Sequence, residues 1–223
     1  MTEMLSLRTK IEQSPMGAYQ WMIVVMAAIM NLLDGFDVLA LAFTATAIRG
    51  EFGLTGIELG YLLSAGLFGM TAGSLFLAPL ADKIGRRPLL LMAVSLSAIG
   101  MLGSAFISQY QWLGFWRVIT GLGVGGILVG TNVITSEYSS RKWRSFAISV
   151  YAAGFGIGAV LGGMFAVMLQ GEYGWRSVFL AGAILTGLLL VVLFIWLPES
   201  IDFLTSKQPK NAEVRLNLIA KKI

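Results

Sequence analysis

The sequence predicts an all-α membrane protein with six transmembrane helices arranged as two successive three-helix units. Three observations carry this. The chain of 223 residues is 57% hydrophobic and 13% charged, against the roughly 25% charged residues of a soluble domain. Its apolar residues gather into six runs, each close to the ~20 residues that cross a bilayer. The basic residues between those runs fall in alternate links, the pattern that sets membrane orientation.

The first run covers about 20–47, after a polar tail of residues 1–19 with Pro15 and Gly17 at its end. It is too long for a cleaved leader, and its acidic residues Asp34 and Asp37 are foreign to one. A glycine-rich link with Arg49, Glu51 and Glu58 leads to a second run over about 57–80. The tight turn Asp82-Lys83-Ile84-Gly85-Arg86-Arg87-Pro88 precedes the third, about 88–107. The fourth covers about 112–136, contains Arg117, and ends in Glu137-Tyr138-Ser139-Ser140-Arg141-Lys142-Trp143-Arg144. The fifth covers about 146–169, and the link Gly171 to Arg176 leads into a sixth over about 177–197. Residues 198–223 return to polar composition, with a weakly amphipathic finish from Val214 to Ile223 suited to a surface helix. Thirteen basic residues lie on one side: Arg8, Lys10, Lys83, Arg86, Arg87, Arg141, Lys142, Arg144, Lys207, Lys210, Arg215, Lys221 and Lys222. Only Arg49 and Arg176 lie on the other, so both termini are expected in the cytoplasm.

Glycines every three or four residues in the second, fourth and fifth runs permit close helix packing, which suggests that those helices sit inside. The third and sixth runs, nearly pure aliphatic and aromatic, are expected to face lipid. The acid, Gly and Arg of Asp82…Gly85-Arg86-Arg87 are echoed by Glu172…Gly174-Trp175-Arg176 before the sixth run. Three spans followed by three in opposite orientation is the inverted repeat of secondary transporters.

The net charge of +4 belongs to short topology-setting loops and offers nothing to nucleic acid. No Cys and no His occur, which excludes disulfides, thiol nucleophiles and imidazole metal ligands. No metal or cofactor site and no nucleophile–base motif of a membrane enzyme is expected. The residues that demand explanation are Asn31, Asp34 and Asp37 in the first run and Arg117 in the fourth. A charge at the bilayer centre costs ~2.5–3.5 kcal/mol on insertion scales, so such residues face a polar cavity or each other. The spacing of three puts Asn31, Asp34 and Asp37 on roughly one helix face. Helical rise places Arg117 at a depth similar to Asp37. A guanidinium that never deprotonates needs an anionic partner. One reading is a permanent Arg–Asp pair that fixes packing. The other is an anion clamp in which a carboxylate substrate takes Arg117, and the released Asp then takes up a proton. Phe36, Phe43, Trp116, Tyr151 and Phe155 lie near this level and suit either packing or stacking on an aromatic ligand. At the cytoplasmic span ends, Asp82, Gly85, Arg86, Arg87, Glu137, Arg141 and Arg144 suggest a salt-bridge cluster that closes one side.

The turn from Asp82 to Arg87, with Leu80 before it and Ala78 in the place of a usual Gly, resembles the hallmark loop of the major facilitator superfamily. Arg117 with Gly121 and Gly125 resembles its fourth-span signature, and Pro198-Glu199-Ser200 its sixth-span ending. Gly158-Ala159 lacks the Gly-Pro pair of the drug/proton antiporters. Asp34-Gly35-Phe36-Asp37 is similar to the signature of the aromatic acid/proton symporters. The resemblance implies the N-terminal half of a major facilitator fold, with residues 20–197 as the bundle and 198–223 as the start of the central cytoplasmic loop. It implies proton-coupled uptake of small aromatic carboxylates across a bacterial inner membrane. Members carry about twelve spans, so it also implies a missing C-terminal six-helix half and a chain that is a fragment or one part of a split protein. Uptake of sugars or other organic acids, or a non-transporting truncated protein, are the alternatives.

Overall fold

The structure is a computed structural model and describes residues 11, 12, 14–209 and 212–223. Arg8, Lys10 and Lys210 lie outside the described residues. Six long helices run α1 (Ala18–Phe52), α2 (Gly56–Ile84), α3 (Arg86–Ala105), α4 (Tyr110–Tyr138), α5 (Arg144–Tyr173) and α6 (Trp175–Trp196). Two short ones follow, α7 (Ile201–Lys207) and α8 (Ala212–Lys222). All six long helices are long and apolar enough to cross a membrane.

The helices outrun the apolar runs because the links are minimal. Gly53 closes α1 at φ 64°. A reciprocal cap follows at once: Glu58 N–H donates to Thr55 Oγ1, and Thr55 N–H to Glu58 Oε2 at 2.8 Å. Gly85 alone joins α2 to α3, at φ 102° and ψ 161°; Gly174 alone joins α5 to α6, at φ 77° and ψ 169°. That left-handed backbone is open to Gly and strained for other residues. The echo of one turn in the other is therefore a repeated helix corner.

α1 packs mainly on α5, α2 on α4, α3 on α4 and α6, with α1 also touching α4 and α6. Exchanging helices one to three with four to six maps the α1–α5 pair onto α4–α2 and leaves α1–α4 and α3–α6 in place. This is the expected inverted repeat. The two strongest pairs meet backbone to backbone. A Cβ on Gly35 would strike the Phe155 carbonyl of α5, and one on Gly158 the Leu32 carbonyl of α1. A Cβ on Gly69 or Gly73 would strike the Val118 or Leu122 carbonyl of α4, while Gly121 and Gly125 meet the Gly66 and Met70 carbonyls of α2.

One expectation is corrected here. α2 and α5 are the least covered helices, with 17% of an 18-residue apolar stretch buried in each, whereas α3 and α6 reach 50% and 39%. α1 and α4 form the centre at 61% each. A glycine stripe secures only the face that carries it. The other face of α2 stays open at Tyr61, Phe68, Leu75 and Phe76, and that of α5 at Val160, Met164 and Met168.

Gly35→Ala is expected to drive α1 and α5 apart and to destabilise the bundle by about 1–3 kcal/mol, read as a lowered thermal midpoint in detergent. Gly156→Ala, on the open side of α5 with no neighbour near, is expected to be neutral or to stabilise by up to ~1 kcal/mol.

Candidate functional site

Asp34, Asp37 and Arg117 are all inside the bundle, 1%, 1% and 3% exposed. Successive steps of three residues on a helix fall about 60° short of a turn, so Asn31, Asp34 and Asp37 fan across α1 rather than share one line. Asn31 points to α5, where its Nδ2 donates to the Tyr151 carbonyl at 2.8 Å. Asp37 points to α3 and accepts from Ser97 Oγ at 2.6 Å. Asp34 lies between, and its Oδ2 is buried without a hydrogen-bond partner. Gly35, inside the same tetrad, is spent on contact with α5.

Arg117 meets Asp37, but at the backbone: Nη1 donates to the Asp37 carbonyl at 3.4 Å. Neither aspartate carboxylate forms an ion pair with it among the described residues. Nη2 instead donates to Ser104 Oγ at 2.9 Å, Met101 Sδ at 3.0 Å and Thr120 Oγ1 at 3.2 Å. The guanidinium carbon stands 4.7 Å from the centre of the Phe179 ring of α6. Asp37 Oδ1 and Arg117 Nε remain without partners. Asp37 and Arg117 line a small cleft of about 30 Å³, together with Val38, Leu62, Gly66 and Thr120. That is room for a water or two. It opens between α1, α2 and α4.

Of the aromatic residues expected nearby, Phe36 is buried against Gly162 and Gly182, and Trp116 packs on Gly103 and Phe115. Phe155 offers its carbonyl to the Gly35 contact. Phe179 and the α3 groups Ser97, Met101 and Ser104 are the site residues that sequence reasoning missed. Serines at 97 and 104 in an otherwise apolar run were the available signal.

The charges at the span ends expected to face the cytoplasm do not gather into one cluster. Arg86 pairs with exposed Asp82 one helical turn away, at 2.6 Å. Arg87 Nη2 donates to the Phe194 carbonyl at the end of α6, at 2.7 Å. Glu137 forms no ion pair with an arginine among the described residues; it caps α7, accepting from Ser200 Oγ at 2.9 Å and Ile201 N–H at 2.8 Å. Arg144 pairs with Glu12 at 3.7 Å, and Arg141 N–H donates to the Glu12 carbonyl. Gly85 faces Glu199, which is the true joint of this end. Glu199 Oε1 accepts from the N–H groups of Arg86 at 2.7 Å, Arg87 at 3.0 Å and Ser200 at 2.9 Å. A carboxylate from beyond α6 thus caps α3, where the helix dipole favours it. The Glu199 carbonyl accepts from Tyr138 Oη at 2.8 Å, and the Tyr138 carbonyl from Gln20 Nε2 at 2.7 Å. The opposite end is held by Glu51, which accepts from Trp175 Nε1 at 2.6 Å and from Arg176 Nη2 at 2.7 Å.

Residues 27–220 of the chain match the family model of the Major Facilitator Superfamily. The chain belongs to the major facilitator superfamily. It is 35% identical to the gallate transporter of Pseudomonas putida over 94% of its own length and 47% of the relative's. It is 35% identical to the 4-hydroxybenzoate transporter PcaK of the same organism, over 96% and 48%. Among solved structures, the partially occluded inward-open xylose transporter XylE from E. coli superposes with a TM-score of 0.80 at 22% identity, covering 91% of this chain and 55% of that one. That likeness concerns fold alone. The chain spans about half the length of the curated relatives it matches. It is an integral membrane protein of a transporter superfamily.

Glu199→Ala is expected to leave three buried or half-buried N–H groups unsatisfied and to cost about 1–3 kcal/mol. Faster protease cleavage at the α2–α3 corner, with Glu213→Ala as an exposed control, checks this.

Proposed function

We propose that this chain is the N-terminal half of a proton-coupled symporter that carries small aromatic carboxylates into the cell. The observation that carries the reading is the buried set Asp34, Asp37 and Arg117, with polar atoms of all three left unpartnered. A cation that binds no carboxylate among the described residues is available to the carboxylate of a ligand. Two buried acids whose carboxylates share no hydrogen bond with it are available to a proton. Asn31 then acts as the pin that holds α1 on α5 beside them. The names of the gallate and 4-hydroxybenzoate transporters, at 35% identity, support an aromatic acid over a sugar.

In this reading the tail (1–19) and the segment 198–223 lie in the cytoplasm of a bacterial cell, flanking the bundle 20–197 in its inner membrane, and a second six-helix half covers the open faces of α2 and α5. Asp82, Gly85, Arg86, Arg87, Glu137, Arg141 and Arg144 serve as the cytoplasmic gate through separate local contacts rather than one cluster. Asp82, which is exposed, is the residue placed to reach the second half.

The test is reconstitution together with the polypeptide that supplies the other six helices, under an imposed inward proton gradient with labelled 4-hydroxybenzoate. Asp37→Asn is expected to abolish accumulation; normal accumulation by that variant removes the proton role. Arg117→Gln is expected to raise KM about 10- to 100-fold, the worth of hydrogen bonds to a charged group. An unchanged KM removes the clamp.

A further inference from the structure

A groove between α3 and α6, lined by Leu91, Met92, Leu96, Ile99, Leu190 and Phe194, has a volume of about 670 Å³. Its walls are apolar. The one lining hydroxyl, Ser95 Oγ, is spent on the Leu91 carbonyl of its own helix at 2.7 Å. At one end stands Arg87, whose guanidinium carbon lies 6.0 Å from the centre of the Phe194 ring and whose Nη2 holds the Phe194 carbonyl. No carboxylate among the described residues pairs with Arg87. Asp82 is neutralised by Arg86, and Glu199 Oε1 is committed to backbone N–H groups. From Arg87 to Ile99 is twelve residues, about 18 Å along the helix. Half the hydrocarbon core of a bilayer is ~15 Å thick. The groove therefore runs the depth of one leaflet and ends in a cation at the level of the headgroups.

We propose that this groove is a binding site for one anionic phospholipid, with an acyl chain along α3 and α6 and the headgroup phosphate on Arg87. The site is separate from the Asp37–Arg117 cleft and does not rest on the reading of that cleft. Arg87 anchors the lipid while its bond to Phe194 ties the start of α3 to the end of α6. The lipid and the helix corner at Gly85 thus share one side chain.

The test is native mass spectrometry of the purified chain in an equimolar mixture of phosphatidylglycerol and phosphatidylcholine. The wild type is expected to keep one phosphatidylglycerol in preference to phosphatidylcholine. Arg87→Gln is expected to reduce that preference about fivefold, the effect of one cation at an anionic surface. Arg87→Lys, which keeps the charge, is expected to keep the preference and guards against a folding defect. Ser95→Trp, which fills the groove away from Arg87, is expected to lower retention of both lipids. An unchanged preference in Arg87→Gln, loss of preference in Arg87→Lys, or undiminished retention in Ser95→Trp would each overturn the proposal.

Discussion

The bundle is built around a guanidinium that forms no ion pair with a carboxylate among the described residues. Moving a charge out of water is costly unless protein dipoles replace the lost hydration. Arg117 obtains that replacement from three helices at once: the Asp37 carbonyl of α1, Ser104 and Met101 of α3, and the Phe179 ring of α6. Each acceptor or ring must come within bonding distance of one side chain, so the backbones must come close first. Gly100 lets α3 lie against Thr120 of α4, and Gly123 lets α4 lie against Ala93 and Ser97. The glycines and the cation are thus one design: small residues set the spacing, and the spacing solvates the charge.

The inverted repeat explains why the same device appears twice. Gly35 and Gly158 on the α1–α5 seam correspond to Gly121 and Gly69 on the α4–α2 seam. The ends of the central helices correspond too. Glu51-Phe52 closes α1 and Glu137-Tyr138 closes α4, an acid followed by an aromatic in each case. Glu51 holds the start of α6, and its neighbour Phe52 packs edge-on against Trp175. Glu137 holds the start of α7, and Tyr138 holds the segment that caps α3. The two ends of the bundle are tied by equivalent residues, but the tie at the α2–α3 corner reaches further because it recruits Glu199.

Much of the fold was legible in the sequence, for reasons that are local. Six apolar runs, the distribution of Lys and Arg, and the paired Gly85 and Gly174 corners depend on nothing beyond their own neighbours. The exclusion of Asp34, Asp37 and Arg117 from lipid follows from the cost of a charge there. What a residue meets across the bundle was not legible. Arg117 and Asp37 share a depth, yet the guanidinium takes the carbonyl of Asp37 while the carboxylate takes Ser97. Glu137 looked like a partner for nearby arginines and serves backbone N–H groups instead, because the helix that starts at Ile201 gives no sign of itself in the polar composition around it. The glycine stripes misled in one respect. They identify a tight seam, and a seam has only one side.

The composition of the open faces separates two kinds of exposure. On α6 the exposed residues Ile184, Leu188, Val191, Phe194 and Ile195 are uniformly apolar and bulky, the surface that acyl chains cover without loss. The open face of α2 is mixed: Tyr61, Phe68 and Phe76 alternate with Ser64, Thr71 and Ser74. Those hydroxyls are bonded to carbonyls of their own helix, Gly60, Leu67 and Thr71, so none is left bare. On α5 the exposed face intersperses Ala152, Ala153 and Gly156 with Val160, Met164 and Met168. Small residues and satisfied hydroxyls bring no advantage against lipid, but they permit a helix to pack closely and offer it polar contacts. The open face of α6 is of uniform apolar composition; those of α2 and α5 are of the mixed, small-residue kind that permits close helix packing.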